Sequence, residues 1–194
     1  MPEIQPAVSC LWLSEPDHTR HLHAPGSYES NVALNQADRQ FGRVLSWIRA
    51  NDIETEMDLL VVSDHGHSTV SQSVDMETFL DVAGLSEAIS QKHLLIAENG
   101  GSALFYVDDE RNDRVIVDRL TSSLMDQSWC GPIITALGIE GTFPNELIGL
   151  SGFREPAVVV SFGWNSEQNN YGIRGISSST ANSGHGIPGQ GMHG

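Results

Sequence analysis

Apolar residues follow two patterns along this chain, and each predicts a different kind of element. Short continuous runs occur at residues 6–13, 58–62, 102–107, 133–137 and 157–162, each bounded by polar, Gly or Pro residues. Runs of that length read as strands, and the most apolar of them as strands buried on both faces. Helical spacing appears at residues 31–50, where Ala33, Ala37, Phe41, Val44, Leu45 and Ile48 share a stripe opposite Asp38, Arg39 and Arg43. It recurs at 112–125 through Val115, Ile116, Leu120 and Leu124, and residues 75–82 read as a short helix ending near Gly84. The order strand, helix, strand over residues 6–62 predicts a parallel unit and therefore an α/β fold. From Gly163 to Gly194 the chain is rich in Gly, Ser and Asn without periodicity, and composition predicts a flexible tail.

The predicted strand at 58–62 stops at Ser63 and is followed at once by Asp64, His65, Gly66 and His67. In an open α/β sheet, ligands bind beyond the carboxyl ends of strands, so the chemistry is expected here. Carboxylate oxygen and imidazole nitrogen are both zinc ligands. The alternative is a plain polar turn with Asp64 as a helix cap. The first predicted strand ends similarly, in Ser14-Glu15-Pro16-Asp17, where Pro16 bars any continuation of a ladder. Residues 18–30 then read as a long functional loop. Asp17 and His21 are four apart, so a helix starting here puts both on one face, where they can share a cation or a local hydrogen bond.

A third ligand must come from elsewhere. His185, flanked by Gly184 and Gly186, is the best-placed candidate, and His193 ranks below it for want of that setting. Three protein ligands with one open position make a catalytic zinc site. Asp64 and His65 would supply half of a second site, and two metals about 3.5–4 Å apart can clamp both oxygens of an in-line displacement at phosphorus. His67 is assigned to orienting a ligand through a hydrogen bond. His18, His23 and His93 are read as loop or surface groups, and Tyr28, Trp164 and Tyr171 as packing.

Composition narrows the classes. The 194 residues suffice for one domain with a sizeable core. Ten Lys and Arg stand against 25 Asp and Glu, a net charge of −15, which argues against nucleic acid polymers and anionic membranes as partners. No run reaches the roughly 18 apolar residues of a membrane helix, and residues 1–6 do not form a signal peptide. Cys10 and Cys130 read as lone, buried, reduced thiols. Neither compartment nor oligomeric state is legible.

Glu15-Pro16-Asp17-x-x-x-His21 with Ala24-Pro25-Gly26-Ser27, then Ser63-Asp64-His65-Gly66, then Gly184-His185-Gly186 occur in that order over nearly the whole chain. With Arg154-Glu155-Pro156-Ala157 before a Val-rich strand, this resembles the nucleotide pyrophosphatase/phosphodiesterases of the alkaline phosphatase superfamily. The resemblance implies a three-layer α/β/α sandwich with a mainly parallel sheet, present as an incomplete fragment: residues 1–194 as one partial catalytic domain. It implies two divalent metal ions, zinc first, with Asp17, His21 and His185 on one and Asp64 and His65 on the other. It implies hydrolysis of phosphodiester or pyrophosphate bonds in a small, nucleotide-like substrate. Relatives are often periplasmic or secreted. The family's nucleophile, a Thr or Ser, and a further Asp ligand are expected upstream of Met1, so this chain is expected to be inactive by itself. Phosphomonoesterase, phosphonate hydrolase and a non-catalytic metal-binding fragment are the alternatives.

Overall fold

The computed structural model describes residues 6–108, 113–152, 155–181 and 184–193; Asn112, Arg154 and Gly194 of the expectations above lie outside them. Helix α1 (Asp17–Arg20) is a single turn, and α2 (Tyr28–Ala50) runs for 23 residues. The Ser27 Oγ accepts from the Ser30 N–H at 3.1 Å and caps α2, which is why it begins three residues before the apolar stripe alone suggests. Strand β1 (Ser68–Val74), helices α3 (Met76–Val82) and α4 (Ser86–Ser90), and strands β2 (Leu94–Glu98) and β3 (Ser102–Val107) follow. Helix α5 (Asp113–Met125) leads into β4 (Cys130–Ile134), β5 (Val158–Phe162), β6 (Trp164–Gln168), β7 (Arg174–Thr180) and β8 (Gly191–Met192).

The core lies on one face of the sheet ordered β2-β3-β5-β4. Leu94, Ala103, Phe105, Val158 and Val160 pack there against Phe79 and Leu80 of α3 and Val117, Leu120 and Leu124 of α5. Trp129 meets Phe79 and Phe162 edge-on, with ring centroids 5.4 and 5.2 Å away, an arrangement aromatic quadrupoles favour. The second sheet, β6-β7-β1-β8, carries the chemistry. It joins the first where β5 turns through Gly163 into β6: the Thr180 N–H donates to the Gly100 carbonyl at 2.9 Å and the Ser178 N–H to that of Gly163 at 3.0 Å.

The mixed α/β class holds, but the strands are not mainly parallel. Only the β1–β7 ladder is parallel among the described ladders; β1–β8, β6–β7, β2–β3, β3–β5 and β4–β5 are antiparallel. Residues 8–13 and 58–63 form no strand. Their apolar side chains face solvent, with Trp12 74%, Leu60 84% and Val62 88% exposed. An apolar run states that a segment can be buried; a ladder also needs a partner backbone, and no described segment supplies one here. The tail departs from expectation in the opposite sense, because its described residues form β6, β7 and β8. Hydroxyls stand in for apolar contacts: the Ser68 and Ser177 Oγ atoms are 2.6 Å apart, and Ser73 Oγ donates to the Gly186 carbonyl at 2.7 Å. Cys10 is exposed and Cys130 half-buried, and both are free. No described helix is long and apolar enough to cross a membrane.

Candidate metal centre

Three separate stretches converge at one end of the second sheet. Asp17 opens α1, where the Glu15 carboxylate accepts from the Thr19 N–H at 3.2 Å and holds the turn. His65 and His67 lie in the turn just before β1, so this polar turn precedes a strand instead of following one. His193 follows β8. The antiparallel β1–β8 ladder sets Ser68 opposite Met192 and Thr69 opposite Gly191, and one step further in the same register sets His67 opposite His193. The Gly101 N–H donates to the His193 carbonyl at 3.4 Å and ties that residue to the first sheet.

The resulting geometry is centred on a single oxygen. Around Asp17 Oδ1 stand four imidazole Nε2 atoms: His67 at 3.2 Å, His21 at 3.5 Å, His193 at 3.6 Å and His65 at 3.7 Å. The His65 and His193 rings stack with centroids 3.5 Å apart, and the Nε2 atoms of His21 and His193 approach to 3.1 Å. Asp17, His65, His67 and His193 each offer one donor atom, all within 4.8 Å of one another. Yet Asp17 Oδ1 and His67 Nε2 are buried with no hydrogen-bond partner. Buried polar atoms are seldom left in that state.

Protonation suits a cation. Burial lowers the His67 pKa to about 4, outweighing the nearby Asp17 carboxylate that raises it. Burial also lowers those of His21 and His193, with the other imidazoles adding to it and Asp17 opposing. Neutral imidazoles carry the lone pair a metal needs. His65 Nδ1 lies 3.1 Å from the Gly66 carbonyl, which can only accept, so Nδ1 holds the hydrogen and Nε2 presents its lone pair. One carboxylate and several neutral imidazoles are a donor set for zinc or a similar ion. Around such an ion, ligands about 2.0–2.1 Å from the centre would sit about 3.3 Å apart in a tetrahedron. The residues present fit the group.

The other expected ligands lie nearby with different partners. His185 Nδ1 is 3.3 Å from the His21 carbonyl, and its ring stands 5.5 Å from that of His21. Asp64 is exposed; its Oδ1 accepts from the His65 N–H at 3.0 Å and its Oδ2 is 3.6 Å from His65 Nε2. Neither belongs to the close group of four, which instead includes His193 and His67. The sequence ranks His193 below His185, and no local pattern shows the register that brings it beside His67.

Beside the cluster opens a cavity of about 340 Å³ lined by His65, His67, His193, Ser68, Ser161, Ser177, Ser178 and Trp164 among others. A larger groove of about 910 Å³ separates Leu11 and Leu13 from Arg39 and Trp47 of α2, and none of the cluster lines it.

Residues 2–175 match the model of the type I phosphodiesterase / nucleotide pyrophosphatase family. The chain belongs to that family. The match takes in Asp17, His21, Asp64, His65 and His67, whereas His185 and His193 lie beyond it. Among curated relatives in the family's range, the chain is 34% identical over 62 residues to ectonucleotide pyrophosphatase/phosphodiesterase family member 7 of Mus musculus, covering 32% of this chain and 14% of the mouse protein. The human counterpart, from Homo sapiens, is 36% identical over 62 residues, again 32% of this chain and 14% of the relative. Venom phosphodiesterase 2 of Crotalus adamanteus is 31% identical over 67 residues, 34% of this chain and 8% of the venom protein. The chain thus matches well under a fifth of the length of these relatives. No solved structure matches.

Proposed function

We propose that this chain carries metal-ligating residues of a hydrolase site for phosphodiester or pyrophosphate bonds, acting on a small nucleotide-like phosphoester in an alkaline phosphatase-like domain. The observation that carries this reading is the convergence of four imidazole Nε2 atoms on Asp17 Oδ1 at 3.2–3.7 Å in a chain of the type I phosphodiesterase family. In this reading Asp17, His21, His185, Asp64 and His65 are the ligands for two ions by family resemblance, and the 3.6 Å approach of His193 Nε2 to Asp17 Oδ1 supports His193 as a further donor. When bound, divalent cations would supply Lewis-acid charge to phosphoryl oxygens and lower the pKa of an attacking hydroxyl or water.

The chain's own groups have definable parts. Asp17 brings the carboxylate around which the imidazoles of His21, His65, His67 and His193 gather. The Gly66 carbonyl fixes the His65 ring with Nε2 inward. Ser68, Ser161, Ser177, Ser178 and Trp164 line the adjoining cavity, a mixed polar and aromatic wall suited to a phosphoester.

The test is metal-dependent binding of a nucleoside 5′-monophosphate, the product such hydrolysis would release, measured by calorimetry with and without zinc. Binding is expected only with zinc and is expected to be lost in Asp17→Ala and His193→Ala. Equal binding with and without metal, or in both variants and the parent, overturns the reading. Any turnover of a chromogenic nucleotide diester by the zinc-loaded protein is expected to fall with the same substitutions.

A further inference from the structure

We infer that Asn169 is a positioning residue: its carboxamide locks the turn that follows Asp17 and His21 onto the strand that follows His65 and His67. It thereby sets the spacing between two parts of the candidate metal centre without touching either. The zinc readout below rests on the metal-centre part of the proposed function; the lock itself does not.

Asn169 opens the turn between β6 and β7. Its Oδ1 accepts from the Tyr171 N–H at 2.9 Å and from the Ile173 N–H at 3.0 Å. Backbone N–H groups only donate, so these two bonds fix which way the amide faces. The two Nδ2 hydrogens are left for the Pro25 carbonyl and the Thr69 Oγ1, each 2.8 Å away. Pro25 is buried, four residues after His21, and Thr69 is buried, two residues after His67. One side chain thus joins three stretches that are far apart in sequence. An independent contact joins two of them: a β-carbon on Gly26, where φ is +87°, would fall 2.6 Å from Ile173 Cγ1 and 2.9 Å from Tyr171 Cβ. The turn shaped by Oδ1 therefore packs directly on the Pro25–Gly26 turn. Asp17 and His21 need such an anchor. They stand at the two ends of the single turn α1, and one turn of helix does not hold itself in place. Across the junction that Asn169 bridges, Asp17 Oδ1 is 3.2 Å from His67 Nε2.

The experiment compares the 194-residue protein with Asn169→Asp, Thr69→Val and Thr69→Ser. Asn169→Asp keeps the oxygen that accepts from Tyr171 and Ile173, so the turn still forms, but it sets a second acceptor against the Pro25 carbonyl. Hydrogen exchange of the metal-free proteins, read by mass spectrometry, is expected to quicken at residues 19–27 in Asn169→Asp. Exchange in β3 and β5 should stay as in the parent. Zinc affinity, read by competition with a chelating dye, is expected to fall about tenfold in Asn169→Asp, the lower end of the cost of losing an outer support. The added negative charge favours a cation, so a fall cannot come from charge. Thr69→Val removes the acceptor without changing shape and should weaken zinc binding too, whereas Thr69→Ser restores the hydroxyl and should bind like the parent.

Unchanged exchange at residues 19–27 in Asn169→Asp overturns the lock, whatever zinc does. Exchange that quickens equally in β3 and β5 also overturns it, since Asn169 would then be a general stabilising residue. Parental zinc affinity in Asn169→Asp, or equal weakening in Thr69→Ser and Thr69→Val, overturns the positioning role. A parent that binds no zinc overturns the metal-centre reading instead, and faster exchange confined to residues 19–27 then still supports the lock.

Discussion

A β-carbon added to Gly191 would fall 2.6 Å from the carbonyl oxygen of Arg20, and 3.2 Å from the Pro25 ring. Strand β8 therefore rests directly on the end of α1 and the Pro25 turn beyond it, and the His193 that follows lies with its Nε2 3.1 Å from that of His21. Gly191→Ala must push β8 away from backbone that cannot rotate aside. Zinc affinity is expected to drop by about tenfold or more, the scale of losing a supporting contact, while far-ultraviolet dichroism stays as in the parent. Undiminished affinity in a competition assay with a chelating dye would show that this contact does not set the site.

Stability should be concentrated in the other sheet. Phe105 is fully buried between α3, α5 and the strands beside it. Phe105→Ala removes that ring and leaves a cavity, and is expected to cost about 3–5 kcal/mol in urea unfolding. A change under about 1 kcal/mol would mean the core is not organised around it.

Asp75 makes helix α3 sensitive to acid. Its carboxylate accepts from the Thr78 N–H at 3.0 Å and from the Thr78 hydroxyl at 2.8 Å, and the backbone bond, then the hydroxyl, hold its pKa below the ordinary value. A carboxylate depressed in the folded state adds stability that is fully present above its unfolded pKa of about 3.9 and is lost as pH falls through the folded value. Asp75→Ala should therefore be less stable than the parent at pH 7, with the gap narrowing steadily as the solution is taken below about pH 4. A gap that is constant with pH would assign the effect to something other than the cap's charge.

Two thiols should label at different rates. Burial pushes the Cys130 thiol up to about 11, so about one molecule in a thousand carries the reactive thiolate at pH 8. Cys10 is exposed. Iodoacetamide is expected to modify Cys10 first, with Cys130 following only on unfolding, as read by peptide mass spectrometry; simultaneous labelling would contradict the packing around β4.

Exposed apolar segments should govern solubility. Leu60, Val61 and Val62 form a β-prone run on the surface, with backbone in no ladder. Such a run is a template for pairing between chains. Leu60→Lys with Val62→Lys is expected to raise the concentration at which the protein begins to aggregate, without altering its dichroism. Light scattering that starts at the same concentration in both proteins would exclude the segment as the cause.

How far all this could be read from residues alone depends on the kind of information each element needs. Helices α2, α3 and α5 and strands β3 and β5 follow from spacing and apolar runs; α3, α5, β3 and β5 bury their stripes in the core, while the stripe of α2 buries only Ala33 and Ile48. Strands β1 and β7 do not, because Ser-Thr-Val-Ser-Gln-Ser-Val and Arg-Gly-Ile-Ser-Ser-Ser-Thr have no apolar alternation. They pair with each other across about a hundred residues, and their serines bond across the ladder. Residues 58–62 show the converse, an apolar run whose local pattern predicted a strand that pairing did not provide. The Asp17–His21 face and the Asp64–His65 turn were visible as motifs. His193 was visible only as a candidate ranked below His185, because its place is fixed by the β1–β8 register and by Gly191 fitting against Arg20. His67 was visible but given a lesser part, since its burial against Asp17 is a tertiary fact.

Strand β8 is only two residues long, and it is anchored by the Ser68–Met192 and Thr69–Gly191 pairs. Short edges of this kind open at a lower free energy than the core. If β8 is docked for a fraction of the time, the apparent dissociation constant for a cation needing His193 is the intrinsic one divided by that fraction. Affinity can thus be tuned without altering any donor atom. A longer ladder would tighten the site, and a looser one would let the ion go.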